Sequence, residues 1–221
     1  MVAVLITGAN RGIGLGLVKE ALKRKDVGHV FATAREGVAA LKEISDARLH
    51  IITMDVCKDV QINKIVGEAG LDVLINNAGV FFRYNLDYEP NRKMCQQQLD
   101  INAVSPLVIN QAFVGLLRRA AARKGIAKVS STDRQLLSII RRTLQAALNS
   151  MTRTLFALWK KDEIVVTAIC PGLVKTDMGT PLGATLTVDE STSALAATIF
   201  DSLTMEQSGG FYDRHLKEIA F

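Results

Sequence analysis

The sequence predicts a Rossmann-like, doubly wound α/β fold: a mostly parallel seven-stranded sheet with helices on both faces, in a single domain over residues 1–221. Three observations predict it. Short apolar runs rich in β-branched residues alternate with longer segments of helical period, the pattern of βαβ units. A glycine-rich octapeptide, Thr7-Gly8-Ala9-Asn10-Arg11-Gly12-Ile13-Gly14, stands where the first strand-like run gives way to the first helical one. At 221 residues, 48% of them hydrophobic, the chain suffices for one well-buried core and falls short of two.

Val2 to Ile6 is an unbroken apolar run and reads as the first strand. The first helix is expected from Gly12 to about Lys23, because Leu15, Leu17, Val18, Ala21 and Leu22 line one side. Strands follow near His29–Thr33, Leu49–Met54 and Val73–Ile75. A long helix is expected over Ser105–Arg123, a strand at Ile126–Ser130, and a second long helix over about Leu136–Lys161. Both helices are partly apolar and partly basic. Val165–Ile169 and Gly210–Tyr212 complete the strands. Right-handed crossovers distribute the helices over both faces, and ligands then bind outside the carboxyl ends of the strands.

Composition narrows the classes. Charged residues make up 22% of the chain, near the globular average, and no stretch reads as a linker or repeat. No apolar run approaches the roughly 18 to 20 residues of a membrane-spanning helix, and the first strand follows Met1 so directly that a signal peptide has no room. Cys57, Cys95 and Cys170 are odd in number and lack a CxxC pair, and His29, His50 and His215 lack ligand spacing. A reducing, cytoplasmic setting without structural metal or membrane is expected. Charge is uneven: residues 115–161 carry 11 Lys/Arg against one acidic residue, and residues 162–221 carry 3 against 9. That pattern suits either an anionic partner or internal pairing. With only Phe156 and Trp159 near the end of the basic stretch, base-stacking platforms are poor, so no nucleic acid is expected.

The glycine loop carries the first chemistry. Gly8 permits a tight turn, Gly12 lets backbone N–H groups approach a diphosphate, and Gly14 allows close helix–strand packing. The helix N-terminus favours the anion. The second strand ends Ala32-Thr33-Ala34-Arg35, where a site specific for NAD usually has an acidic residue for the ribose 2′-hydroxyl. Arg35, with Arg11 in the loop, suits a 2′-phosphate instead, which favours NADP(H).

These residues resemble the short-chain dehydrogenase/reductase family nearly end to end. TGANRGIG matches the family's TGxxxGxG loop, in which Gly8, Asn10, Arg11, Gly12, Ile13 and Gly14 fall. Asp55-Val56 resembles its adenine-binding pair, and Asn76-Asn77-Ala78-Gly79 its NNAG stretch beside the cofactor. Asn102 falls where the family keeps an active-site Asn, and Pro171-Gly172-Leu173-Val174-Lys175-Thr176 resembles the PGxVxT stretch beside the nicotinamide. ALNSMTRTL, TDMGTPLGATLTVDEST and GGFYDRHLKEI are most like a branch of small cytosolic carbonyl reductases that includes Sniffer.

The resemblance implies a catalytic Ser, Tyr and Lys, the last two as YxxxK on one helix face, with Tyr protonating the substrate oxygen as hydride arrives. Between Tyr88 and Tyr212 there is no tyrosine. Aligning Gln145-Ala146-Ala147-Leu148-Asn149 with the family's KAALN puts Gln145 in the lysine's place and Arg141 in the tyrosine's. Ser131 fits the family serine but precedes Arg141 by only ten residues, closer than the family pattern places it. Gln carries no charge, and Arg stays protonated, so neither replaces the missing pair as an acid. Two functions follow as expectations: an NADP(H)-dependent oxidoreductase of a small carbonyl or alcohol, and a cofactor-binding pseudoenzyme serving as sensor or interaction module. The resemblance also implies a homodimer through helices 105–123 and 136–161.

Overall fold

Alternation along the first strand sets the layering. In this computed structural model, which describes residues 1–62, 70–84, 87–132 and 139–220, β1 (Val2–Thr7) turns Val4 and Ile6 to one face and Leu5 to the other. The other strands are β2 (Val27–Ala34), β3 (Leu49–Thr53), β4 (Val73–Asn76), β5 (Ala127–Thr132), β6 (Ile164–Cys170) and β7 (Phe211–Asp213). They form a seven-stranded sheet in the order β3-β2-β1-β4-β5-β6-β7, every pair parallel. The expected strands are all present, with ends shifted by a residue or two.

The helices are α1 (Gly12–Lys23), α2 (Ala39–Lys42), α3 (Asp59–Ile62), α4 (Arg92–Leu99), α5 (Ser105–Lys124), α6 (Ile139–Trp159) and α7 (Val188–Ala196). Residues 136–138 of the expected second long helix lie outside the described residues. On one face Leu17 and Val18 of α1 meet Leu195 of α7 over Val4, Ile6 and Val165. On the other, Ile109, Phe113 and Leu117 of α5 and Leu155 and Trp159 of α6 cover Leu5, Leu74 and Val166. Burial of each such side chain contributes about 1.5–3 kcal/mol.

The continuous helical stretch Arg92–Lys124 is, by length and composition, long and apolar enough to cross a membrane. Its periodicity explains why it reads otherwise: Ile109, Phe113, Leu116, Leu117, Ala120 and Ala121 form one stripe, buried against the sheet. Gly125 ends α5 in the left-handed conformation, at φ 82°. Part of the basic middle is internally paired, as Arg118 with Asp162 at 2.8 Å and Lys124 with Asp72 at 2.7 Å. Lys128 donates to the carbonyls of Ile199 and Phe200.

Candidate functional site

The order of strands reverses between β1 and β4, and a cleft of about 800 Å³ opens at their carboxyl ends. Its size is that of a small-molecule or cofactor site. The glycine loop forms one wall. Gly8 and Gly12 have φ of 64° and 53°, values that L side chains rarely adopt. A Cβ on Gly14 would lie 2.6 Å from Asn77 Nδ2 and nearer still to the Gly8 carbonyl, so helix and loop meet there without room for a methyl group. Arg11 precedes α1 in extended conformation and supplies no side-chain cap, and the first turn has no acidic residue. The leading N–H groups of α1 are therefore presented to the cleft without a carboxylate competing for them. This geometry fits a diphosphate.

The opposite wall is tied to the loop through Thr7. Its hydroxyl accepts from the N–H groups of Asn77 and Ala78, each at 3.0 Å, while Asn77 Nδ2 donates to the carbonyls of Thr7 and Gly8 at 3.0 and 3.1 Å. Asn102 continues this wall. Its Nδ2 donates to the Val80 carbonyl at 2.8 Å and its Oδ1 accepts from the Val80 N–H at 2.9 Å, as an adjacent strand would. Asn102 sits in a π-helical turn, Asp100–Val104. Pro106 has no N–H to give the Asn102 carbonyl four residues back, and the chain winds wider, with the Ser105 N–H bonded to the Asp100 carbonyl.

At the end near β2, Arg35, Glu36 and Gly37 border the cleft, facing Asp55 and Val56 after β3. Both expected 2′-phosphate ligands are in ion pairs: Arg35 with Glu36 at 3.2 Å and Arg11 with Asp177 at 2.5 Å. Asn10 Nδ2 donates to the Glu36 carbonyl at 3.0 Å, fixing the loop against the exit of β2. Asp55 receives the Cys57 N–H at 3.1 Å, which shapes the turn leaving β3.

The remaining end holds Ser131, 4% exposed and level with Asn76 in the sheet, together with Asn102, Ile101 and Pro106. Helix α6 contributes Leu144 and Leu148 to this wall. Gln145 is half-buried and does not line the cleft, contrary to its alignment with the family lysine. The side chain of Arg141 lies outside the described residues. Among the described residues no tyrosine, histidine or cysteine lines the cleft.

The PGLVKT stretch also divides. Thr176 reaches the cleft, beside Lys175, Asp177 and Met178. Pro171, Gly172 and Val174, expected with it, do not: Val174 is fully buried and bridges to Leu186, the Pro171 carbonyl accepts from Ser191 Oγ, and Gly172 packs against Arg214. They shape the loop that delivers Thr176. Sequence reasoning missed Gly37, Asp177, Leu144 and Leu148; a glycine two residues beyond Arg35 and an acid one beyond Thr176 were the available signals.

The family model for short chain dehydrogenases matches residues 2–187. An uncharacterised oxidoreductase of Schizosaccharomyces pombe is 33% identical over 195 residues, covering 80% of this chain and 75% of its own. The carbonyl reductase Sniffer of Drosophila melanogaster superposes with a TM-score of 0.92 at 30% identity, covering both chains fully. An NADPH-bound carbonyl reductase from chicken fatty liver gives 0.90 at 30% identity, over 99% of this chain and 98% of that one.

Proposed function

The chain belongs to the short chain dehydrogenase family, and on that premise we propose that it binds NADP(H) in the cleft and reduces small carbonyls only slowly. Bound there, the nicotinamide supplies hydride. The chain's own residues supply the rest. The α1 N–H groups and Gly8–Gly14 hold the diphosphate, Arg11 and Arg35 the 2′-phosphate, Asp55 and Val56 the adenine, and Asn77–Gly79 and Thr176 the nicotinamide half. Ser131 and Asn102 stand by the reacting carbonyl. The NADPH-bound chicken relative supports the choice of cofactor.

One observation carries the slow turnover: among the described residues α6 offers the cleft Leu144 and Leu148, neither of which gives or takes a proton. General acid catalysis contributes about 10²- to 10⁴-fold in rate, so its loss leaves a site that positions cofactor and substrate without a group to protonate the alkoxide oxygen formed as hydride adds to the carbonyl carbon. The test measures NADPH binding by calorimetry and NADPH oxidation with quinones and short aldehydes. Tight binding with rates at least about a hundredfold below an active family member is the expected result. Brisk turnover that collapses in Ser131→Ala would refute it. The same apolar wall favours a second reading, a cofactor-binding sensor or interaction module, which predicts binding and no turnover at all. Exposed Val104 and Leu107, in the turn before α5 and on it, and Leu158 on α6 support a homodimer through those helices. We place the protein in the cytoplasm, in keeping with its three free thiols.

A further inference from the structure

Asp177 follows Thr176 and lies 166 residues from Arg11, yet its carboxylate meets the Arg11 guanidinium at 2.5 Å. The pair joins the glycine loop to the segment leaving β6, and both partners line the cleft. Both side chains are about three-quarters exposed, at 72% and 76%. We propose that Asp177 is a specificity-determining residue: a built-in anion that competes with the 2′-phosphate for Arg11 and so limits the preference for NADP(H). The inference rests on the NADP(H) reading above.

An ion pair so exposed is weak, equivalent to a factor of at most about five in an equilibrium constant. A phosphate monoester carries nearly two charges and three acceptor oxygens, and it receives a guanidinium through stronger, bidentate bonds. The phosphate therefore displaces the carboxylate, and the displaced pair is subtracted from its affinity. Asp177 then remains beside the bound phosphate as a like charge. Both effects act on a 2′-phosphorylated nucleotide and spare one that lacks this group. Glu36 holds Arg35 similarly at 3.2 Å, but as its chain neighbour it follows that arginine wherever it moves; Asp177 lies on a separate segment, so its contact is broken when Arg11 turns to the phosphate.

The test is calorimetric binding of 2′,5′-ADP and 5′-AMP to the full chain, to Asp177→Asn and Asp177→Ala, and to each of these combined with Arg11→Ala. Both single variants are expected to bind 2′,5′-ADP about two- to fivefold more tightly, with 5′-AMP unchanged. In the Arg11→Ala background the gain disappears. The parent's disadvantage shrinks as salt is raised, since screening weakens an exposed pair. An unchanged 2′,5′-ADP affinity, an equal gain for 5′-AMP, or a gain that persists without Arg11 overturns the role of Asp177. A parent that binds 2′,5′-ADP no better than 5′-AMP overturns the NADP(H) reading itself, and this inference with it.

Discussion

Replacing Gly14 by alanine adds one methyl group at the tightest point of the loop, and its cost follows from the contacts. The new Cβ meets the Gly8 carbonyl oxygen at 2.2 Å, Asn77 Nδ2 at 2.6 Å and Ala9 Cα at 2.9 Å. Two of these are backbone atoms, and the third ends a side chain that two hydrogen bonds hold in place. Asn77 Nδ2 is already committed to the Thr7 and Gly8 carbonyls, so relieving the overlap forfeits those bonds at about 1 kcal/mol each. Overpacking adds about 1–3 kcal/mol. The total, about 3–5 kcal/mol, falls on the conformation that presents the α1 N–H groups, and corresponds to a loss of NADPH affinity of about 100-fold or more. The control is Gly115→Ala in the middle of α5, where an added Cβ has nothing within 4 Å. There the better helix former stabilises by about 0.5–1 kcal/mol. Urea unfolding of both variants and calorimetry with NADPH make the comparison. A folded Gly14→Ala protein that binds NADPH within about threefold of its parent would refute the assignment of this loop, since 1.4 kcal/mol is already tenfold.

Arg35→Ala should shrink the ratio of NADPH to NADH affinity by about tenfold, the value of one charge-assisted contact in an exposed setting; equal ratios by calorimetry would remove Arg35 from the site. Asn102→Ala removes both bonds that hold Val80 and is expected to lower stability by about 1–2 kcal/mol in urea unfolding, with a parallel loss of ordering of the Asn77–Val80 wall seen as faster amide exchange. Acid stability should depend on Asp46. The Arg48 guanidinium beside it lowers its carboxyl from 3.8 to about 2, so the pair stabilises the fold above the ordinary carboxylate value and loses that effect as pH falls towards about 2. Asp46→Asn should flatten the urea midpoint over that window and leave it unaltered in shape above it; an unchanged acid limb would assign the effect to another carboxylate.

How much of this was legible depended on how local the signal was. The strands β1, β4 and β6 declared themselves because each is a short apolar run buried on both faces, as Val4, Leu5 and Ile6 are at 0% exposure. The loop was legible because its glycines serve backbone conformations that few other residues tolerate. The π turn at Asn102 was legible in principle, since Pro106 stands four residues on and cannot donate. The phase of α6 was not. Matching QAALN to KAALN gives the order of residues, whereas which of Leu144, Gln145 and Leu148 faces the cleft depends on how the helix is rotated against the sheet. Val174 was expected at the cofactor from its place in the PGxVxT stretch, and the order of residues in a motif leaves open whether a side chain turns to the cleft or to the core, where Val174 is buried. The Arg11–Asp177 contact joins residues 166 positions apart and has no local signature at all.

That division has a functional consequence. Most of what is proposed to hold the cofactor comes from the start of α1 and from segments just beyond the strand ends, whose positions are fixed by the sheet and by the loop's conformation. Proton transfer, in contrast, rests on side chains displayed by one helix at one rotational phase. Substitutions at the cleft-facing positions of α6 alter what that helix displays while Met151, Leu155 and Trp159, farther along it, keep it packed on the sheet. A chain of this architecture can therefore lose its acid and keep its nucleotide, and the two properties are open to selection separately. The apolar pair Leu144 and Leu148 stands at this point in the fold, at the end of the cleft that also holds Ser131, Ile101 and Pro106.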